Sequence, residues 1–426
     1  MKSRITLPLT IMNFMQFFVW GAWMMTLGSY GFGEKGWTGY EFGLVFSTMG
    51  FASLIMPTLF GILADKWNAK YVYAILHLLF GVTMCFLPFI PTATTFFWVL
   101  LVAMCFYMPT LALNNSIGFE VLKMNGKNPT QDFPPIRVFG TIGFIAAMWL
   151  TNLATKKGLL FEDPSISYSF YIAAIGAVCL AFFSFAVLPS INKKENACAQ
   201  KRSLVDKLGL RAFVLFKQKK MAIFFIFSLL LGGALQLTNA YGDSFLQDNS
   251  VFPQGGLINK FSTIILSISQ ISETLFILAI PFFLRKFGIK KVMLISMLAW
   301  ALRFGLLGIS GNSMFGFGLV ILSCIVYGMA FDFFNISGAL FVEQNTDSKI
   351  QSSAQGVFML MTNGIGAVMG NLIAGWAIGK WFTLADGMLL WKHIWIAFAA
   401  YSLVIAVLFM LVFKYKHEPA KITQNA

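Results

Sequence analysis

Apolar and polar positions fall along this chain in long blocks, with apolar runs interrupted by short polar turns. Twelve apolar stretches lie at about 6–30, 41–64, 70–90, 95–118, 136–155, 167–188, 221–243, 261–284, 290–309, 314–338, 353–379 and 391–413. A helix needs about 20 apolar residues to cross about 30 Å of hydrocarbon. Each stretch therefore predicts one membrane-spanning α-helix. The longest polar stretch, about 190–220, is too short and too charged to build a core, so no soluble domain is expected.

Three pairs of polar residues interrupt the pattern inside predicted spans: Gln236 and Asn239, Gln270 and Glu273, and Asp332 and Asn335. Members of a pair stand three positions apart, which on a helix places them on one face. A charged group at mid-membrane costs about 2.5–3.5 kcal/mol on insertion scales. Three helices carrying the same costly device predict a shared polar cavity inside the membrane. The amides also have a plainer reading, since they often tie membrane helices together at around 0.6 kcal/mol per bond. That reading suits Asn13, Gln16, Asn114, Asn115, Asn363 and Asn371, and His77 is read as a packing residue.

Composition agrees with the membrane reading. Hydrophobic residues make up 58% of the 426, charged residues 11%, and mean hydropathy is +0.75. Charge then sets orientation. With the N-terminus in the cytoplasm, 23 of the 31 Lys and Arg residues fall in cytoplasmic segments, which predicts both termini inside. The net charge of +14 follows from that bias and does not indicate nucleic-acid binding. Lys2 and Arg4 before an apolar run resemble a signal peptide, but no small-residue cleavage site follows, so an uncleaved first span is expected. The cysteines (85, 105, 179, 198 and 324) show no metal-type spacing, and His77, His393 and His417 are scattered. Neither metal chemistry nor another cofactor is expected, and the chain is not expected to be an enzyme. With no Gly-x-x-x-x-Gly-Lys-[Ser/Thr] motif, ATP is not the expected energy source.

The segment 190–220 is the only long charged connection, and it leaves six predicted helices on each side. The expected organisation is an N-terminal half at 1–189, a basic cytoplasmic linker at 190–220, a C-terminal half at 221–415 and a tail at 416–426. A faint repeat supports it: Gly61-Ile-Leu-Ala-Asp65-Lys66 is echoed by Pro281-Phe-Phe-Leu-Arg285-Lys286, and Val138-Phe139 by Val357-Phe358. Two six-helix halves around a midplane site are a recurring transporter plan.

Gly61, Asp65 and Lys66 resemble the loop between the second and third helices of the major facilitator superfamily, where that loop braces the cytoplasmic side; the later Gly-Arg positions read Asn68-Ala69 here. Longer segments are similar to the nucleoside:proton symporters within that superfamily. They are Asp132-Phe-Pro-Pro-Ile-Arg137-Val-Phe-Gly-Thr141-Ile-Gly-Phe144, Leu235-Gln236-Leu-Thr-Asn239, Ser267-Ile-Ser-Gln270-Ile-Ser-Glu273 and Phe331-Asp332-Phe-Phe-Asn335. The resemblance implies an all-α membrane protein of the major facilitator fold that imports nucleosides with protons across a bacterial inner membrane; a functional monomer is expected. It implies substrate contacts from Arg137, Thr141 and Phe144 in the fifth span, Gln236 and Asn239 in the seventh, Gln270 and Glu273 in the eighth, and Phe331 and Asp332 in the tenth.

The residue types fit such a substrate independently. A nucleoside offers hydroxyls that donate and accept and a flat base with polar edges; side-chain amides carry both donors and acceptors. A carboxylate can accept two hydroxyl protons, and an aromatic ring can stack on a base for about 1–3 kcal/mol. Glu273 and Asp332 are the candidates for the coupling proton, and Arg137 is expected to engage the site or an acid in one state of the cycle. Because Arg137 follows Pro134-Pro135, it is expected at the very start of its helix. Flexibility for the cycle is assigned to Gly232-Gly233, Gly364 and Gly366. A proton-linked sugar or drug carrier with the same fold is the alternative.

Overall fold

A computed structural model of the chain describes residues 2–156, 159–190, 210–347 and 350–415. Most of the predicted linker, Cys198 and the predicted tail lie outside them. Among the described residues the chain is helical, apart from one isolated bridge between Thr383 and Leu389. The main helices are α1 (Lys2–Gly21), α2 (Gly39–Lys66), α3 (Ala69–Phe86), α4 (Ala93–Met124), α5 (Pro129–Thr155) and α6 (Tyr168–Val187). They continue with α7 (Lys219–Gln247), α8 (Ser262–Ile309), α9 (Met314–Gln344), α10 (Ser353–Trp381) and α11 (Trp391–Val412). Ten of these are long and apolar enough to cross a membrane, and α1 holds a shorter apolar stretch, Ile5–Gly21. Gly288, at φ 76° and ψ 165°, breaks α8 into two arms; only glycine takes that conformation without strain.

Helix starts are fixed by polar caps. Thr38 and Glu41 form a reciprocal capping box at the head of α2. Side chains of Asn68, Thr92 and Ser313 accept backbone N–H groups at the heads of α3, α4 and α9. α2 continues through Lys66, so Gly61, Asp65 and Lys66 are helical, and only Trp67 and Asn68 remain as a connection before α3.

The chain divides into two compact units. Unit 1 comprises Met1–Lys201 with the short segments Asn239–Ser244 and Lys260–Ile264; unit 2 comprises Arg202–Thr238, Phe245–Asn259 and Ile265–Ala426. In unit 1, α1 lies along α5 and α3 along α6. The α1–α5 approach is backbone to backbone: a methyl group on Gly143 would overlap the Phe14 carbonyl, and one on Gly21 the Phe144 carbonyl. Unit 2 repeats this device between α7 and α10, where Gly232 meets Thr362 and Gly233 meets Gly370. Gly232-Gly233, expected to lend flexibility, are instead close-packing positions. Gly364 and Gly366 sit in a π-helical turn, Leu360–Gly366, that interrupts α10. Such turns widen the helix locally and recur at functional places.

Apolar side chains such as Ile175, Phe182, Leu275, Leu278 and Leu411 are exposed, as a lipid-facing surface requires. Polar side chains are gathered inside. Gln16 Nε2 donates to Thr110 Oγ1 at 2.9 Å, Tyr73 OH donates to Gln16 Oε1 at 2.6 Å, and Asn114 Nδ2 donates to Asn13 Oδ1 at 2.9 Å. Tyr107 OH donates to the Gln16 carbonyl at 2.6 Å. The network joins α1, α3 and α4 in the middle of unit 1, and His77 is buried beside it with its ring 4.4 Å from that of Tyr73. The plainer reading of Asn13, Gln16 and Asn114 is therefore what the structure shows.

Two expectations follow for purified protein in detergent. Gly143→Ala should lower the midpoint of thermal unfolding, whereas Gly305→Ala, whose added methyl meets nothing within 4 Å, should hold it or raise it slightly. Gln16→Leu strips partners from Thr110 and Tyr73 and should cost about 1–3 kcal/mol, read as a lower unfolding midpoint.

Candidate functional site

In unit 2 the site is built on α8 and α9. Gln270 and Glu273 stand one turn apart on the first arm of α8, and Tyr327, Phe331 and Asp332 follow one another along α9. The rings of Tyr327 and Phe331 stack, with centroids 5.6 Å apart and planes 19° from parallel. Tyr327 lies near the Gln270 side chain and within the fields of Glu273 and Asp332. Asp332 is 6% exposed, and its Oδ2 has no hydrogen-bond partner among the described residues. Glu273 and Asp332 feel each other's charge.

One member of the sequence pairs is spent locally. Asn335 Nδ2 donates to the Phe331 carbonyl at 3.1 Å, one turn back on its own helix, which removes a donor from the cavity. Gln236, half-buried on α7, belongs to unit 2, while Asn239 opens the α7 segment assigned to unit 1.

In unit 1 the candidates lie on α5. This helix begins at Pro129, not at the residue after Pro135. Pro129 occupies the first turn, and the Asp132 carboxylate accepts the Asn128 N–H at 3.0 Å. The carbonyls that Pro134 and Pro135 leave without their usual partners belong to Thr130 and Gln131, at the helix's own first turns, where the loss is small. Arg137 is therefore about 12 Å along the helix from its first residue, at 1.5 Å per residue. It lies deeper than a helix-starting position would put it. Its guanidinium sits 3.9 Å from the centre of the Phe17 ring on α1, and Phe17 in turn stacks on Trp20. Thr141 is half-exposed one turn further on, and Phe144 is buried against Gly21 of α1.

Three polar residues that the polar pairs did not point to are organised by the structure. Asp243, fully buried on α7, accepts hydrogen bonds from Ser29 Oγ and from Ser262 Oγ, the latter at 2.7 Å. Just past the end of α5, burial pushes the Lys156 amine down from its ordinary range and the nearby Asp243 charge pulls it back up. Asn152 on α5 accepts from Thr263 Oγ1 at 2.8 Å and donates to the Lys260 carbonyl at 3.0 Å. These bonds fasten the short segments Asn239–Ser244 and Lys260–Ile264 within unit 1. The signal for Asp243 was present as an acid four positions after Asn239, at the very end of a predicted span. Tyr327 could have been found as the aromatic one turn before Phe331.

Among the described residues no group of three or more His, Cys, Asp or Glu side chains could hold a metal ion. The α8–α9 cluster thus places an amide, a phenol hydroxyl, two acids and a stacked aromatic pair near one another.

A model of the family described as nucleoside H+ symporter matches residues 3–418. The xanthosine permease of Escherichia coli (strain K12) is 46% identical over 425 residues, covering 99% of each chain. The nucleoside permease NupG of the same organism is 46% identical over 417 residues, covering 97% of each. A crystal structure of the nucleoside transporter NupG, in a single-site mutant form, superposes with a TM-score of 0.90 at 45% identity, covering 96% of this chain and all (100%) of that one. An auto-inhibited POT-family peptide transporter shares the fold alone, with a TM-score of 0.70 at 13% identity over 97% of this chain and 98% of that one. With a family match over nearly its whole length and relatives this similar, the chain belongs to the nucleoside H+ symporter family.

Proposed function

We propose that this protein imports nucleosides together with protons as a multi-pass transporter of the bacterial inner membrane. The observation that carries the reading is the α8–α9 cluster, in which a stacked Tyr327–Phe331 pair stands beside Gln270 and two acids, Glu273 and Asp332. The relatives named above are described as permeases of nucleosides, and the same substrate class is proposed here.

The chain crosses the membrane twelve times with both termini in the cytoplasm. The two arms of α8 about Gly288 and the apolar stretch of α1 bring the ten long apolar helices to that number. The halves are 1–189 and 221–415, joined by the basic segment 190–220 and followed by the tail 416–426. The protein acts as a monomer, without cofactor, metal or chemical transformation of its substrate. Access alternates between the two sides of the membrane, with the proton gradient setting direction. Gly61, Asp65 and Lys66 act at the cytoplasmic gate.

Roles divide by chemistry. Gln236, Asn239, Gln270 and Thr141 read hydroxyls and base edges, and Phe144 and Phe331 supply apolar surface for the base. Arg137 supplies a fixed positive charge, and Glu273 with Asp332 carries the coupling proton. A proton-linked sugar carrier would use the same amides and acids with less need for the aromatic pair, and a drug carrier would want a larger aromatic cavity.

Two experiments test this. In proteoliposomes with an imposed inward pH gradient, wild-type protein should accumulate a labelled nucleoside, and unlabelled nucleosides should compete where a hexose or an organic cation does not. Nucleotides should also fail to compete, because their phosphates would meet Glu273 and Asp332. Second, Glu273→Gln and Asp332→Asn should each abolish uncoupler-sensitive accumulation. Retention of concentrative uptake by both variants would remove these acids from the coupling role.

A further inference from the structure

Unit 2 buries a second cation that the proposed transport chemistry does not use. Arg303, on the second arm of α8, is 2% exposed. Its partners among the described residues are neutral. Nε donates to Thr238 Oγ1 at 3.2 Å, and one terminal nitrogen donates to Ser269 Oγ at 3.2 Å and to the Ser323 carbonyl at 3.0 Å. These groups lie on α7, α8 and α9. A buried guanidinium without a carboxylate is costly, and the bonds it makes here could be made by a neutral side chain. The charge itself therefore calls for a reason.

The reason lies on its face. The guanidinium carbon sits 4.4 Å from the centre of the Tyr327 ring. A desolvated cation over an aromatic face is held by the ring's quadrupole, and Arg, being planar, also stacks. Trp300, one turn before Arg303, closes on Tyr327 edge-on at 5.7 Å and 88°. Tyr327 is thus fixed by two residues of one helix. It passes that order to Phe331, stacked on it.

The geometry points to Arg303 as a positioning residue for the nucleoside site, acting through the face of Tyr327 to hold the Tyr327–Phe331 platform in its receiving orientation. Arg303 touches no substrate in this scheme. The inference rests on the nucleoside-import reading.

The test is a double-mutant cycle on nucleoside uptake in proteoliposomes, with KM and maximal rate measured separately. Arg303→Lys keeps the charge and loses the stacked plane, and Tyr327→Leu loses the ring. Each should raise KM about tenfold, the order expected of a desolvated cation–π contact, with the maximal rate within about twofold. The double variant should be no worse than either single one, because the two residues act through one contact. In a Tyr327→Phe background, which keeps the ring, Arg303→Lys should again raise KM. If Arg303→Lys does not reach the membrane folded, Ser269→Ala, which loosens the guanidinium without removing it, enters the same cycle with a smaller rise expected. Multiplying effects of Arg303→Lys and Tyr327→Leu would overturn the assignment and leave Arg303 as a tie between helices, and so would an unchanged KM. Wild-type protein that accumulates no nucleoside would instead overturn the underlying reading, a result separate from either.

Discussion

In hydrocarbon a polar group has no water to fall back on, and the rest of this structure follows from how each one is satisfied. Some are satisfied by their own helix, as when Asn335 donates to the Phe331 carbonyl and Asn13 to the Leu9 carbonyl. Others bind helices to one another, as Gln16, Tyr73, Thr110 and Asn114 do at the centre of unit 1. Asp243 is held by two serines. Among the buried side-chain atoms left without an internal partner, the Asp332 carboxyl oxygen is the one that belongs to an acid, and it lies near Tyr327.

The two buried or half-buried arginines of the candidate regions solve one problem alike. Arg137 and Arg303 both rest on an aromatic face, at 3.9 Å from Phe17 and 4.4 Å from Tyr327. A ring stabilises a cation without cancelling it, whereas a carboxylate would neutralise the pair's field at a distance. At Arg303, whose hydrogen-bond partners among the described residues are neutral, the charge therefore remains available to its surroundings. In a protein that moves protons, keeping fixed charges distinct from titrating ones has evident use.

Much of this was legible in the chain because a membrane makes the hydrophobic pattern coarse. Span lengths are set by the bilayer, so the long apolar helices, the break near Gly288 and the polar pairs Gln270–Glu273 and Asp332–Asn335 could be read directly, whereas Phe331 entered through the family resemblance. The start of α5 could not, because Pro134 and Pro135 look like a boundary; whether a proline stops a helix depends on which carbonyls lose a partner, and here those carbonyls sit at the helix's own beginning. Gly232-Gly233 were legible as special but not as packing positions, since a glycine that bends and a glycine that lets backbones touch look identical in sequence. Tyr327 was hidden among many aromatic residues, and its importance comes from an arginine 24 positions earlier in the chain, on another helix.

Where backbone meets backbone, at Gly143 against Phe14 and at Gly232 against Thr362, α1 and α5, and likewise α7 and α10, have little room to shift against each other. Arg137 on α5 is therefore tied to the movements of α1, and Gln236 on α7 to those of α10. Each pair behaves as a double beam in which a displacement entering by one member is carried to the other.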